Sequence, residues 1–309
     1  MNELEVIERI SGLLPPAPPE VVVPIGDDCA VLRFGEKSWV AASDMLVSGQ
    51  HFKGWATPGA VGYKAVAVNV SDVAAMGGSP RFVLVSGAAP DPETALHLFD
   101  GAMEACERFG VYPLGGDTTR ADELTVDVTI LGELSSPPVL RSGAKAGESL
   151  AVTGELGASA AGLLALEAGG SGRLARRHLR PEPRVEAGRA AAGLGVGAMM
   201  DLSDGLASDL RRMCGLSGVG CLVDLDLLPV SEDTREFVWS LGRDPEELAV
   251  TGGEDYELLI SAPGPVLDAL ARNVEVPITV IGEITTGSDV VFRRAGEPVE
   301  DLSGWDHFA

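Results

Sequence analysis

The chain has 309 residues, 45% of them hydrophobic, which sets a prior of about two domains with ample material for their cores. A formal net charge of -23 argues against a nucleic-acid grip and against a polybasic membrane contact, since both need clustered Lys and Arg. An anionic substrate such as a nucleotide would need divalent cations beside it in such a field, while much of the acid can equally be a solvated surface that aids solubility.

Apolar Leu4, Ile7, Ile10 and Leu14 recur near helical spacing, so a helix is predicted from Glu3 to Leu14, ended by PPAPPE. Val21 to Ile25 reads as a short strand running into GDD, and Val31 to Phe34 with Ser38 to Ala42 reads as a strand pair delivering Ser43 and Asp44 at its end. Pro58 to Met76 reads as a long helix with a small-residue face, closed by GGSP. Ser71 and Asp72 lie inside it, and a carboxylate in so apolar a helix must point at water, a partner or a metal. Arg81 to Ala88 is a predicted strand and Pro92 to Phe109 a second amphipathic helix. Val111 to Leu114 is a strand feeding GGDTTR, and Leu124 to Leu134 alternates as a further strand.

A polar joint near Arg141–Gly147 separates this α+β unit from a second one. There SLAVTG leads through GELGAS into a helix from Ser159 to Ala168. HLRPEPRVEAG is a loop and helix start. Val196 to Leu202 is a strand ending in DLSDG, followed by a helix from Leu206 to Cys214. GGEDYELLISA is a turn into a strand, Thr279 to Glu283 is another strand, and Trp305 with Phe308 reads as a hydrophobic latch for the tail. The opening MNELEVIERI lacks the apolar core of a secretory leader, and no apolar run approaches the ~20 residues needed to span a bilayer. Cys29, Cys106, Cys214 and Cys221 lack CxxC spacing and read as reduced thiols of a cytoplasmic protein, and the four histidines form no HExxH pair.

The chemistry-bearing pattern is a recurrence of acidic, glycine-flanked turns. Asp27 and Asp28 are adjacent, so on extended backbone they face opposite ways: one can reach a metal while the other caps or orients the turn. Asp201 and Asp204 stand at i,i+3 between a strand and a helix, where they can ligate a metal or, with Ser203, cap the helix. GGDTTR reads by itself as a turn, and TGELGAS as either a phosphate nest or close helix–sheet packing; it lacks the Lys of a Walker A loop. Taken together, acidic turns in both halves would repel one another if they converged without cations. An all-oxygen set with no Cys/His site suits Mg²⁺ and substrate phosphates, and phosphoryl transfer is the matching chemistry.

The set IGDDCAVL, SDMLVSGQHF, KAVAVNVSDVAAMGGSPR, LGGDTTR, RSGAKAG, VTGELGASAAGL, MMDLSDGLASDL, TGGEDYELL and GWDHF, in this order over nearly the whole chain, resembles the thiamine-monophosphate kinase family. The resemblance implies an α+β fold in two domains: an N-terminal α+β domain (1–140) that dimerises through its sheet and a C-terminal α/β domain (141–309). It also implies direct transfer of the ATP γ-phosphoryl group to thiamine monophosphate, giving thiamine diphosphate with several Mg²⁺ ions and no phospho-enzyme.

Carried over residue by residue, the resemblance makes Asp28, Ser43, Asp44, Asp72, Asp117, Asp201 and Asp204 the magnesium ligands. Gly116, Asp117, Arg141 and Ser203 would bind ATP, and His51, Glu254 and Trp305 would contact thiamine monophosphate. Ala42-Ser43 stands where Ser-Thr is usual before Asp44; a backbone oxygen survives at Ala42 and a hydroxyl at Ser43. Two other readings stand beside the kinase. One is a sibling synthetase of the same fold acting on another small molecule. The other is a non-enzymatic divalent-cation buffer, which would have no need of the Gly, Arg and hydroxyl groups around the carboxylates.

Overall fold

The computed structural model describes residues 3–300 and 302–304, and among them the strands form two sheets. The first half runs α1 (Glu3–Ser11), β1 (Val21–Val23), β2 (Ala30–Phe34), β3 (Lys37–Val47), α2 (Pro58–Ala75), β4 (Ser79–Ala89), α3 (Pro92–Phe109), β5 (Tyr112–Arg120) and β6 (Thr125–Leu134). The second begins with β7 (Ser149–Thr153), α4 (Ala158–Glu167), α5 (Arg173–Leu179), α6 (Val185–Leu194), β8 (Ala198–Asp201), α7 (Leu206–Ser217) and β9 (Gly220–Asp224). After a 3-10 turn at Leu225–Leu227 come α8 (Glu232–Ser240), α9 (Pro245–Thr251), β10 (Leu258–Ala262), α10 (Gly264–Asn273), β11 (Ile278–Thr285), β12 (Val290–Arg294) and β13 (Glu297–Val299). Trp305 and Phe308, the expected tail latch, lie outside the described residues.

The first sheet has the order β1-β2-β3-β6-β4-β5 and is antiparallel except at its β4–β5 edge, where α3 makes the crossover. Burial alternates without a break along β6: Val126, Val128 and Ile130 face the helices, while Asp127 and Thr129 face away. The face away from the helices is open and carries exposed Met45, Leu84 and Tyr112. The second sheet, β13-β12-β9-β11-β7-β10-β8, is antiparallel except between β9 and β12.

The element that joins the two halves is α2. Thr57 caps its start by accepting the Ala60 N–H at 3.2 Å, Pro58 supplies a pre-set first turn, and Gly77, at φ 74, takes the left-handed conformation just past its end. Its valines are almost fully buried, Val66, Val70 and Val73 completely so, and each is worth ~1.5–3 kcal/mol of burial. Glycines bring the neighbouring helices close. A Cβ at Gly62 would lie 1.9 Å from the Leu98 carbonyl oxygen of α3, and one at Gly188 of α6 would lie 2.0 Å from the Ala74 carbonyl oxygen. Packed against α3 on one side and against α6 and β8 on the other, α2 holds Ser71 and Asp72 where the two halves meet.

GGDTTR is not a turn. Gly115 to Arg120 continue β5 as an edge strand paired in parallel with Leu84 to Ala89 of β4. A Cβ at Gly116 would fall 1.7 Å from the Val85 carbonyl oxygen, so close strand contact alone requires that glycine. Likewise Ser43 and Asp44 lie inside β3, not at its end, which puts them on opposite faces of the sheet.

Candidate active site

The site begins at the turn between β1 and β2. Asp27 accepts the N–H of Asp28 at 3.0 Å and that of Arg141 at 3.2 and 3.1 Å, one to each oxygen, so it holds the turn and ties it to the segment between the sheets. Burial, then the charge of Asp28, push the Asp27 carboxyl up to about 6. Asp28 faces the other way. Its Oδ1 accepts Arg141 Nε at 3.0 Å and Nη2 at 2.6 Å, while its Oδ2 is buried without a hydrogen-bond partner among the described residues. The two adjacent carboxylates thus face opposite ways, Asp27 into the turn and Asp28 toward Arg141.

Asp28 points at Asp72 of α2 and at Asp201, the last residue of β8. One carboxylate oxygen from each lies within 4.8 Å of the others. Ser71 donates its hydroxyl to Asp201 Oδ2 at 2.5 Å and fixes that side chain. Burial and then the negative charge of Asp28 push Asp201 up to about 8. Asp72 is raised well above the carboxylate range, by burial first and then by Asp44, Asp201 and Asp28. Asp44 neighbours Asp72 and joins the cluster from the helix face of β3 in a crowded cleft that water still reaches. Four clustered carboxylates, an orphaned oxygen and, among the described residues, no nitrogen or sulfur ligand in the cluster form a donor set suited to a hard divalent cation.

The remaining expected residues fall in three places. Asp204 lies beside the cluster in the loop after β8 and pairs with Arg212 Nη2 at 3.0 Å. Its N–H donates to Oδ2 of fully buried Asp209 at 3.2 Å, and neither Ser203 nor Asp204 caps α7, which starts from Gly205 without a side-chain cap. Ser43 and Asp117 lie on the open face of the first sheet: Ser43 donates to Asp127 at 3.0 Å, and the register places Asp117 opposite Ser86 and, one strand further, Asp127. Within one chain they therefore stand on the face opposite Asp44, with Gly116 beside them on the edge strand.

The third place is the loop after α9. Glu254 has φ 65 and Tyr256 φ 52, left-handed conformations costly for such residues. Backbone bonds pin them to the loop after β8, Glu254 N–H to Ser203 O at 2.8 Å and Tyr256 N–H to Leu202 O at 2.9 Å. Glu254 Oε1 lies 2.8 Å from Lys64 Nζ and Oε2 lies 3.4 Å from His178 Nδ1. Burial would raise this carboxyl, but Lys64 and then His178 outweigh it and hold it below its ordinary value. His51 is close enough for its charge to act on Glu254, and its Nδ1 accepts the Val47 N–H at 3.0 Å. Trp305 lies outside the described residues.

Sequence reasoning passed over Lys64, Arg212, Asp209 and Asp255. Asp255 accepts the N–H groups of Gly157 at 2.7 Å and Ser159 at 3.1 Å, so the start of α4 is filled by the protein's own carboxylate and is no phosphate nest. The readable signal for Lys64 was a lysine among the valines and alanines of an apolar helix.

The chain is similar to known proteins along its whole length. Residues 26–134 match the AIR synthase related protein N-terminal domain, and residues 145–294 match the corresponding C-terminal domain. The chain is 40% identical to the thiamine-monophosphate kinase of Escherichia coli (strain K12), over 100% of this chain and 98% of that protein. It is 40% identical to the protein of the same name from Mycobacterium tuberculosis (strain ATCC 25618 / H37Rv), over 96% of this chain and 93% of that one. The solved structure of AaThiL complexed with AMPPCP and TMP matches with a TM-score of 0.86 at 33% identity, covering 99% of this chain and 97% of that one. A match of this extent, covering both halves of the chain, places it in the thiamine-monophosphate kinase family.

Proposed function

We infer that the protein is an ATP-dependent kinase that converts thiamine monophosphate to thiamine diphosphate. An oxygen of the substrate phosphate bonds to the γ-phosphorus of ATP as the bond to the β-phosphate oxygen breaks, releasing ADP. The observation that carries the reading is the convergence of Asp28, Asp72 and Asp201 from both halves, with Asp28 Oδ2 unpartnered, in a chain related to thiamine-monophosphate kinases over its whole length.

Mg²⁺ suits the cluster, and Asp28, Asp44, Asp72 and Asp201 would hold it, with Asp204 beside them. Bound there, it would neutralise phosphate charge and the developing charge of transfer. The protein's own groups do the rest. Arg141 holds Asp28 in place and adds positive charge for the nucleotide, while Ser71 orients Asp201. Ser203 ties the nucleotide side to the substrate side through its carbonyl. Glu254 and His51, with Trp305, contact thiamine monophosphate. Ser43, Gly116 and Asp117, which stand on the opposite face of the first sheet within one chain, complete the metal and ATP site across the dimer, facing a second copy of the chain. That sheet's open face, with exposed Met45, Leu84 and Tyr112, supports a homodimer formed through it. The two halves divide as an N-terminal domain over 1–140 and a C-terminal domain over 141–309. No helix among the described residues is long and apolar enough to cross a membrane, and four free, buried cysteines support a cytoplasmic location.

The test is incubation of the purified protein with thiamine monophosphate, ATP and MgCl₂, with thiamine diphosphate and ADP separated and quantified, beside an EDTA control. Stoichiometric formation of both, lost in EDTA, is expected. ATP turnover that ignores thiamine monophosphate would sink the reading and favour a sibling activity of the same fold.

A further inference from the structure

Lys64 is 4% exposed in a helix whose buried residues are mostly valine and alanine. An unpaired ammonium there would cost several kcal/mol. Its position next to Glu254 and His178 is a built arrangement with a definite proton order. Lys64 Nζ lies 2.8 Å from Glu254 Oε1 and 3.5 Å from His178 Nε2. An ammonium only donates, so His178 Nε2 carries a lone pair and Nδ1 carries the proton. Nδ1 in turn faces Ser159 Oγ at 3.1 Å and Glu254 Oε2 at 3.4 Å. Burial, then the charge of Lys64, hold the His178 imidazole down at about 4, so it is neutral near pH 7. The Trp55 ring closes the far side edge-on, at 5.5 Å between centroids.

The outcome is one carboxylate paired with Lys64 at one oxygen and set against His178 Nδ1 at the other, while its side chain keeps 25% of its surface open. Its backbone is fixed in the left-handed region and pinned to Ser203. A flexible surface glutamate would lose side-chain entropy on meeting a ligand; this one has already lost it. We propose that Lys64 and His178 are positioning residues for the thiamine moiety: through Glu254 alone, they present an ionised, preoriented carboxylate to a cationic, amino-bearing heteroaromatic ring. The proposal rests on the reading of Glu254 as a thiamine monophosphate contact.

The experiment is steady-state kinetics on the full chain, varying thiamine monophosphate and ATP separately, for Glu254→Gln, Lys64→Met, Lys64→Arg, His178→Gln and the Lys64→Met/Glu254→Gln double variant. Losing a hydrogen bond to a charged group changes affinity by about tenfold to a hundredfold. Glu254→Gln and Lys64→Met are each expected to raise KM for thiamine monophosphate by at least about tenfold, with KM for ATP within about twofold of the parent. The double variant should be no worse than Glu254→Gln, because Lys64 acts through that carboxylate, and Lys64→Arg should recover part of the loss.

An unchanged KM in Lys64→Met, or a double variant whose defects multiply, overturns the proposal. If Lys64→Met does not fold, as circular dichroism would show, His178→Gln carries the same test: a raised KM for thiamine monophosphate supports the proposal and an unchanged one overturns it. If Glu254→Gln itself leaves that KM unchanged, the substrate role of Glu254 fails and the proposal falls with it. That result is distinct from a Glu254→Gln defect that Lys64→Met does not share.

Discussion

Asp201 is the carboxylate that the second sheet contributes to a cluster otherwise drawn from the first half, and Asp201→Asn separates a cation site from a structural polar network. Its oxygen lies within 4.8 Å of those of Asp28 and Asp72. Two full charges at about that distance repel by roughly 3.5 kcal/mol at an effective dielectric constant near 20. Protonation leads to the same scale, since burial and then Asp28 push the Asp201 carboxyl from 3.8 to about 8. Against an unfolded carboxyl at its ordinary value, this costs the cation-free folded protein on the order of 4 kcal/mol at pH 7. The raised group favours the protonated folded state. Its contribution is therefore fully present below the unfolded value of 3.8 and is lost as pH rises through about 8.

Asp201→Asn removes the repulsion and weakens the Ser71 bond, a loss of about 1 kcal/mol. The net gain in EDTA at pH 7 is roughly 3 kcal/mol, which corresponds to a Tm about 5 °C higher for a chain of this size. The rise in Tm that MgCl₂ with ATP gives the parent should disappear, and most of the turnover with it. Thermal unfolding in EDTA and in MgCl₂ with ATP, followed by the coupled kinase assay, reads all three. A Tm that falls in EDTA while the cation response survives would refute the electrostatic reasoning, because Asp201 would then be an ordinary buried hydrogen-bonding group.

Two further outcomes follow from packing and protonation. Gly62→Ala puts a methyl group 1.9 Å from the Leu98 carbonyl oxygen, and urea denaturation should show a loss of more than about 3 kcal/mol or no folded protein at all, whereas near-parental stability would mean that α2 and α3 can separate. His178 is held at about 4 against an ordinary 6.5, so the unfolded chain binds its proton first and stability is lost as pH falls through that window, by about 3 kcal/mol at pH 4. His178→Gln should flatten that part of the pH dependence of urea midpoints, and an unchanged slope would count against a neutral buried imidazole.

The sequence was most legible where one local rule decided the structure. The Pro58 and Pro92 starts, the Gly77 stop and the alternation of β6 all stand as read, because capping and pleating act within a few residues. The opposed roles of Asp27 and Asp28 were legible for the same reason. What escaped depended on long-range partners. Gly115-Gly116 looks like a turn until β4 pairs with it, and Ser43-Asp44 looks like a strand end until β6 extends the ladder to Val47. The i,i+3 spacing of Asp201 and Asp204 suggested a helical turn, yet Asp201 ends a strand and Asp204 turns to Arg212. Much of the second half, including α8, α10, β9, β12 and β13, carried no strong signature, since its short amphipathic pieces acquire their meaning from the sheet they cover. Lys64 escaped because its partners, Glu254 and His178, lie over a hundred residues away.

These distant partners are brought into one frame by α2. Lys64, which grips Glu254, and Ser71, which orients Asp201, are seven residues apart, close to two helical turns, so they share a face about 10 Å apart along the axis. The loop that carries Glu254 is in turn bonded through its backbone to Leu202 and Ser203, directly after Asp201. The separation between the proposed ring contact and the carboxylate cluster is thus set twice, once by helical pitch and once by backbone hydrogen bonds, without a long flexible loop. A substrate with a cationic ring at one end and a phosphate at the other needs that kind of fixed spacing, because misplacing the reacting phosphate by even an ångström forfeits much of the rate. This gives a physical reason for a largely apolar helix to keep Lys64, Ser71 and Asp72: Lys64 and Ser71 hold two different residues of the second half, and Asp72 meets Asp201 in the cluster.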